Sequence, residues 1–517
     1  MSAAPPIPWM RETNDSPGAP GNPPRRITID PITRLEGHGR IEIFLDANGD
    51  VERAFMQVPE LRGFEVFSRG RPAEDMPQIT SRICGVCPTA HHIASTKTLD
   101  DLYQVEPPPA ARKIRELVYN TFMLEDHALH FFVLGGPDFV VGPDAPPQQR
   151  NILGLIQEVG RDAGVKVISM RRRLRDLITY FGGKVVHPVL GLPGGVSKPL
   201  RPEDLPAFRQ LAGDALEFAL WTLEVFKQVV LANPQYVKLV TSDAYTHQTC
   251  YMGLVDEHDQ VNFYDGTLRI VDSNGAEVCR FAAREYLDFV AEHVEPWSYM
   301  KFPYLKSRGW QGFVEGPETS IYSVAPLARL NAAAGMATPR AQAACEEFYT
   351  TLGGRPVHHT LANHWARVVE MIYAAERMEQ LVHDPEITSP DIRRLPANTP
   401  KVGMAVVEAP RGTLFHHYET DPNGLIVMAN LIVATGNNAA RIAMSVERAA
   451  RSLIQGGRIF EERLNQVEMA FRAYDPCLGC ATHAFPAQVP LLVNIYDARR
   501  NLLRRLCSSP GPPSSFP

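Results

Sequence analysis

Arg82-Ile83-Cys84-Gly85-Val86-Cys87-Pro88-Thr89-Ala90-His91 lies near the start of this chain. Asp475-Pro476-Cys477-Leu478-Gly479-Cys480-Ala481-Thr482-His483 follows about 390 residues later. Each stretch carries a CxxC pair. One such pair is equally compatible with a redox dithiol, half a zinc site or a packing accident. Two pairs point to a four-thiolate metal site, because soft sulfur donors select zinc, iron–sulfur or other borderline and soft metals. A zinc ribbon places its second pair roughly 15–20 residues after the first. Here the fold itself must bring the pairs together, which puts the expected metal inside the protein.

Working outward, residues 26–29, 39–44 and 51–58 alternate in strand fashion, with a turn at Asn48-Gly49-Asp50. Apolar residues at three- and four-residue spacing predict helices over 109–134, 149–180, 205–231, 360–383 and 438–472. The region 235–330 is mixed, with hairpins expected at Asp265-Gly266 and Asn274-Gly275. The uncharged stretch from Pro422 to Ala440 is broken by Gly424, Asn430, Gly436 and Asn437, so it reads as core with a functional turn. The fold class is α+β, a predominantly helical bundle with an N-terminal antiparallel β region.

The chain has 517 residues, 44% hydrophobic and 21% charged, which is ordinary for a globular protein. Its 52 basic and 58 acidic residues give a net charge of −6 and no nucleic-acid footprint. Arg25-Arg26 is followed by polar Thr28 and Asp30 rather than an apolar run, so no export signal and no membrane span is read. The cysteine spacing fits a reducing, cytoplasmic compartment. Residues 1–25, rich in Pro, Ala, Gly and Asn, read as a disordered lead.

Three further segments complete a pattern: Asp30-Pro31-Ile32-Thr33-Arg34-Leu35-Glu36-Gly37-His38, Arg62-Gly63-Phe64-Glu65 and Glu408-Ala409-Pro410-Arg411-Gly412. With the two CxxC stretches, they resemble in order the motifs DPITRxEGH, RGxE, RxCGxCxxxH, EAPRG and DPCxxCxxH. Those motifs belong to the large subunit of nickel–iron hydrogenases. The Cys-Ala-Thr-His ending is similar to the cytoplasmic, cofactor-coupled group. The resemblance covers residues 26–483 as one catalytic domain.

It implies reversible heterolytic cleavage of H2. Nickel would be bound by Cys84, Cys87, Cys477 and Cys480. Iron carrying carbonyl and cyanide ligands would share the bridging Cys87 and Cys480. The Cys477 thiolate would take the proton and Glu36 would relay it. Arg411 would sit over the metals, oriented by Asp475 or Asp126. His91 would donate to a cysteine sulfur, and Thr435 would donate to a cyanide. Magnesium would be held by Glu65, His483 and the carbonyl of Leu431 or its neighbour.

Implied partners are an iron–sulfur small subunit, electron-acceptor subunits of the NAD, F420 or heterodisulfide-reductase type, nickel-insertion proteins and a maturation protease. The protease would remove residues 484–517. A permanent C-terminal strand is the competing reading of that tail, whose segment 489–496 is strand-like. Two other functions stay open at this point. One is a complex I-like scaffold with a structural four-cysteine zinc, and the other is a non-catalytic H2 sensor.

Overall fold

The computed structural model describes residues 26–398 and 400–482, together with the backbone of strands 492–496 and 502–507. The N-terminal reading holds: β1 (Arg26–Ile29), β2 (Arg40–Leu45) and β3 (Val51–Gln57) form an antiparallel sheet in that order. Its β2–β3 turn carries Gly49 at φ +82°, the left-handed conformation that glycine adopts without penalty.

A helical core follows. α1 (Pro88–Tyr103) and α2 (Pro109–Leu129) lead it, and α2 continues into a π-helical segment, His130–Gly135. The expected helix over 149–180 is two helices, α3 (Ile152–Val159) and α4 (Arg161–Gly182), because Gly160 breaks the path at φ +88°. Then come α5 (Leu205–Phe226) and, after the central region, α6 (Asn363–His383), which packs on both α5 and α2. The stretch 438–472 is likewise two helices, α7 (Ala439–Leu453) and α8 (Glu461–Arg472), parted by Gly456 and Gly457 at positive φ.

In the central region, β4 (Cys250–Val255), β5 (Thr267–Val271) and β6 (Glu277–Phe281) are antiparallel neighbours. Asn274-Gly275 turns β5 into β6, as the sequence predicts. Asp265-Gly266 is not a hairpin turn. It leads into β5, whose partner is β4, while the short strand Gln260–Val261 pairs on β4 at Val255.

A second sheet supports the site: β7 (Val402–Ala409), β8 (Gly412–Thr420) and β9 (Ile426–Ile432), antiparallel in that order. β7 packs against α1. The Pro422–Ala440 stretch is β9 followed by the short helix Ala434–Asn437, all four residues of which are buried. Beyond His483, β10 (Leu492–Tyr496) and β11 (Leu502–Cys507) pair with each other. No helix among the described residues is long and apolar enough to cross a membrane.

Candidate metal centre

The first CxxC loop sits on the N-terminus of α1. Cys87 is the residue before the helix and Pro88 occupies its first position, where a missing N–H costs nothing. The backbone N–H groups of Val86 and Cys87 turn toward Cys84 Sγ, at 3.2 and 3.3 Å. This places both thiols where the positive end of a helix dipole favours a thiolate.

The second loop opens the short helix Leu478–Ala481. It is held as an added strand on the Asp30–Gly39 segment: Glu36 and Cys477 form a parallel bridge, and the Leu478 N–H donates to the Glu36 carbonyl at 2.9 Å. Gly37 (φ +85°) permits this approach. A Cβ there would lie 2.8 Å from the Gly479 nitrogen.

The fold brings the two loops together as the sequence required. Cys84 Sγ lies 3.1 Å from Cys477 Sγ, and Cys87 Sγ lies 3.3 Å from Cys480 Sγ. Cys477 and Cys480 are 2.9 Å apart. All four are buried, carry no disulfide, and offer sulfurs within 4.8 Å of one another. Two ligands of one ion with metal–sulfur bonds near 2.3 Å can stand at most about 4.6 Å apart, so the quartet fits a shared metal site. It is the one such grouping of three or more potential ligands among the described residues.

The electrostatics agree. Hydrogen bonds from Cys477, Cys480 and Cys87 hold the Cys84 thiol well below its ordinary range. Burial pushes Cys477 and Cys480 well above theirs. Without a cation the pocket therefore favours a single thiolate, and a bound cation supplies the charge that lets the others ionise.

Around the sulfurs stand the residues the motifs singled out. Cys477 Sγ donates to Glu36 Oε2 at 2.9 Å, and the Gly479 N–H reaches the same oxygen at 2.9 Å. Burial, and then the charge on Cys84, raise the Glu36 carboxyl. Arg411 projects from the two-residue turn between β7 and β8, where Ala409 faces Gly412. Its guanidinium bonds Asp126 at 3.2 Å and pairs with Asp475 at 3.0 Å, all three being buried. Burial lifts Asp126 to about 7. Burial also works against Asp475, but Arg411 and His130 outweigh it and hold that carboxyl below the usual range. Asp475 itself sits at φ +53°, a conformation that non-glycine residues rarely adopt.

His91 Nε2 lies 3.4 Å from Cys480 Sγ, and its Nδ1 lies 3.2 Å from His416 Nε2. Thr435 Oγ1 accepts from the Cys477 N–H at 3.0 Å, which leaves its hydroxyl proton free to donate elsewhere. A small cavity opens against Cys477 and Cys480, walled by Arg411, Leu414, Val433 and Thr435. Glu65 Oε1 accepts from the Leu431 N–H at 2.8 Å, which brings those two together. His483 lies outside the described residues.

Three neighbours lie beyond what the motifs assign. His130 packs 3.0 Å from Asp475 and stacks on His364. It stands four residues after Asp126, one turn along the same helix, and that spacing could have found it. Arg62 falls within a motif that gives it no role. His416, in the middle of β8, has no sequence clue.

The chain belongs to the nickel-dependent hydrogenase family: that family's model matches residues 62–146 and 164–483, and a HoxL-like model matches 26–61. Within the family it is the nickel–iron catalytic large subunit. It is 48% identical to the iron-sulfur subunit of the F420-non-reducing hydrogenase of Archaeoglobus profundus, over 93% of this chain and 99% of the relative. It is 38% identical to the beta subunit of the NAD-reducing hydrogenase HoxS of Cupriavidus necator, over 93% and 99%. Among solved structures, an NAD+-reducing [NiFe]-hydrogenase in the H2-reduced state superposes with a TM-score of 0.84 at 38% identity, covering 89% of this chain and 99% of that one.

Proposed function

We propose that this chain splits and forms H2 at a nickel–iron centre held by Cys84, Cys87, Cys477 and Cys480, with Cys87 and Cys480 shared between the metals. The observation that carries the reading is the buried thiol quartet with Glu36 bonded to one sulfur and Arg411 poised beside the cavity. When bound, the centre, with carbonyl and cyanide on its iron, supplies a redox-active late metal with an open position for hydrogen.

The remaining chemistry belongs to the chain. Glu36 Oε2 is within hydrogen-bond reach of Cys477 Sγ and accepts the proton released there. Asp126 and Asp475 fix the Arg411 fork over the cavity, so its donors are oriented before substrate arrives. His91 orients Cys480, and Thr435 fixes the Cys477 backbone while keeping a donor for a cyanide. Glu65, the Leu431 carbonyl and His483 hold a magnesium ion, a hard cation suited to carboxylate and carbonyl oxygens.

Electrons leave through an iron–sulfur small subunit, since this chain has no ferredoxin-like cysteine run. The acceptor beyond it is NAD or a heterodisulfide-reductase-type partner. F420 fits less well, because the relative at 48% identity is named F420-non-reducing. Assembly is cytoplasmic, with nickel-insertion proteins loading the site and a protease removing residues 484–517.

Elemental analysis and intact mass of the chain matured in a nickel-replete host test this reading. Expected are one nickel and one iron beyond any cluster iron, infrared bands from carbonyl and cyanide, and a mass ending at His483. Zinc in the quartet of a properly matured chain overturns it.

A further inference from the structure

Arg62 stands between the two cysteine loops rather than in either. A single guanidinium nitrogen, Nη2, donates to the Ile83 carbonyl at 2.7 Å and also to the Gly479 carbonyl. These are the residues immediately before Cys84 and Cys480, so one nitrogen ties together two backbone points that lead directly into the sulfurs of opposite pairs. The backbone of Arg62 adds a third tie, its N–H donating to the Thr482 carbonyl at 2.9 Å.

Space around the contact is committed to it. A Cβ built on Gly479 would collide with Arg62 Nη2 and lie 2.7 Å from Glu36 Oε1. On the other side of the loop, a Cβ at Gly39 would lie 2.7 Å from the Leu478 side chain. The Cys477–Thr482 segment is therefore recognised by its backbone: Leu478 and Gly479 through Glu36, and Gly479 and Thr482 through Arg62.

We infer that Arg62 is a positioning residue, a clasp that fastens the C-terminal cysteine loop onto the N-terminal one and so sets the spacing of the four sulfurs. Arginine suits the task because a planar guanidinium offers several fixed donors on a rigid fork. The clasp acts through backbone carbonyls and touches no metal ligand side chain. Its operation thus does not depend on which metal the quartet receives.

The test uses the full metal-free chain. Each thiol's alkylation rate is read by peptide mass mapping in the unsubstituted protein, R62A, R62K and G479A. Buried Cys345, in the helix Pro339–Thr351 remote from the loops, reports global unfolding. In R62A, labelling of Cys477 and Cys480 is expected to rise at least tenfold while Cys345 stays slow. R62K, which keeps a shorter cation, is expected to restore part of the protection. G479A, which fills the clasp's space, is expected to mimic R62A.

Rates at Cys477 and Cys480 unchanged in R62A overturn the clasp, as does an equal acceleration at Cys345. Full-rate labelling of both in the unsubstituted chain also overturns it, since the segment is then not held without metal. None of these outcomes depends on hydrogen turnover, so a failure here is distinct from a failure of the catalytic reading.

Discussion

Cys477 and Glu36 meet across 441 residues of sequence: the thiol donates to Glu36 Oε2 at 2.9 Å, and the same oxygen accepts the Gly479 N–H. One carboxylate thus serves as acceptor for a cysteine proton and as an anchor for the loop carrying that cysteine. These two duties can be separated, because an amide oxygen keeps the anchor and loses the ionisable acceptor.

E36Q is accordingly expected to load metal normally and to lose hydrogen turnover by about 10²–10⁴-fold, the scale of a positioned acid–base group. Exchange of protons between D2 and water should fall with it. Metal analysis beside both assays checks this, and E36Q turnover within twofold of the unsubstituted protein would remove Glu36 from the proton path.

Arg411 is held by two buried carboxylates on different elements, Asp126 on α2 and Asp475 before the second cysteine loop. Lysine retains the charge and loses the planar fork. R411K should therefore keep both metals while losing roughly 10²-fold in kcat, the usual effect of removing one preorganised donor. Steady-state kinetics on protein of verified metal content decides it. A change in KM alone would mean that Arg411 only admits substrate.

How much of this is legible in the sequence depends on whether the pattern is local. The N-terminal strands alternate about the Asn48-Gly49-Asp50 turn, and their bounds can be read nearly to the residue. The β7–β9 sheet cannot. β7 and β8 are buried on both faces, from Ala405 to Ala409 and from Gly412 to Tyr418, so they show no alternation to read. Short motifs carry the site's ligands and their nearest neighbours, and the Cys477–Glu36, Arg411–Asp475 and Arg411–Asp126 contacts join residues drawn from them or from the α2 helix. Contacts such as His91–His416 and Arg62–Gly479 join residues more than 300 apart, and no spacing rule reaches that far.

A buried ion network supports the Arg411 turn from behind. Arg329 bonds both Glu370 oxygens at 2.6 Å and Glu408 at 3.0 Å, and donates to the carbonyls of Ala409 and Pro410. All three side chains are fully buried. Burial lifts Glu408 to about 7 even with Arg329 beside it. R329A would leave two buried carboxyls and two turn carbonyls without their donor, a loss of about 3–5 kcal/mol. Denaturant midpoints of the metal-free chain measure it, and a loss under ~1 kcal/mol would show that water replaces the guanidinium.

His92 gives the fold a dependence on pH that is separate from the metal site. Its Nε2 accepts the backbone N–H groups of Leu190 and Gly191, at 3.1 and 2.9 Å, while Nδ1 faces the Pro77 carbonyl at 3.2 Å. Only the neutral ring can accept those two bonds, and burial lowers its pKa to about 4 from 6.5. The unfolded chain then binds the extra proton between those values, so stability rises with pH across the window. The contribution is complete above pH 6.5 and is lost, at roughly 1.4 kcal/mol per unit, as pH falls toward 4. H92Q should be the less stable protein at pH 7.5, with the gap closing progressively between pH 6.5 and 4. Denaturation midpoints of the pair across that range check it, and a gap independent of pH would mean that His92 is not held neutral in the fold.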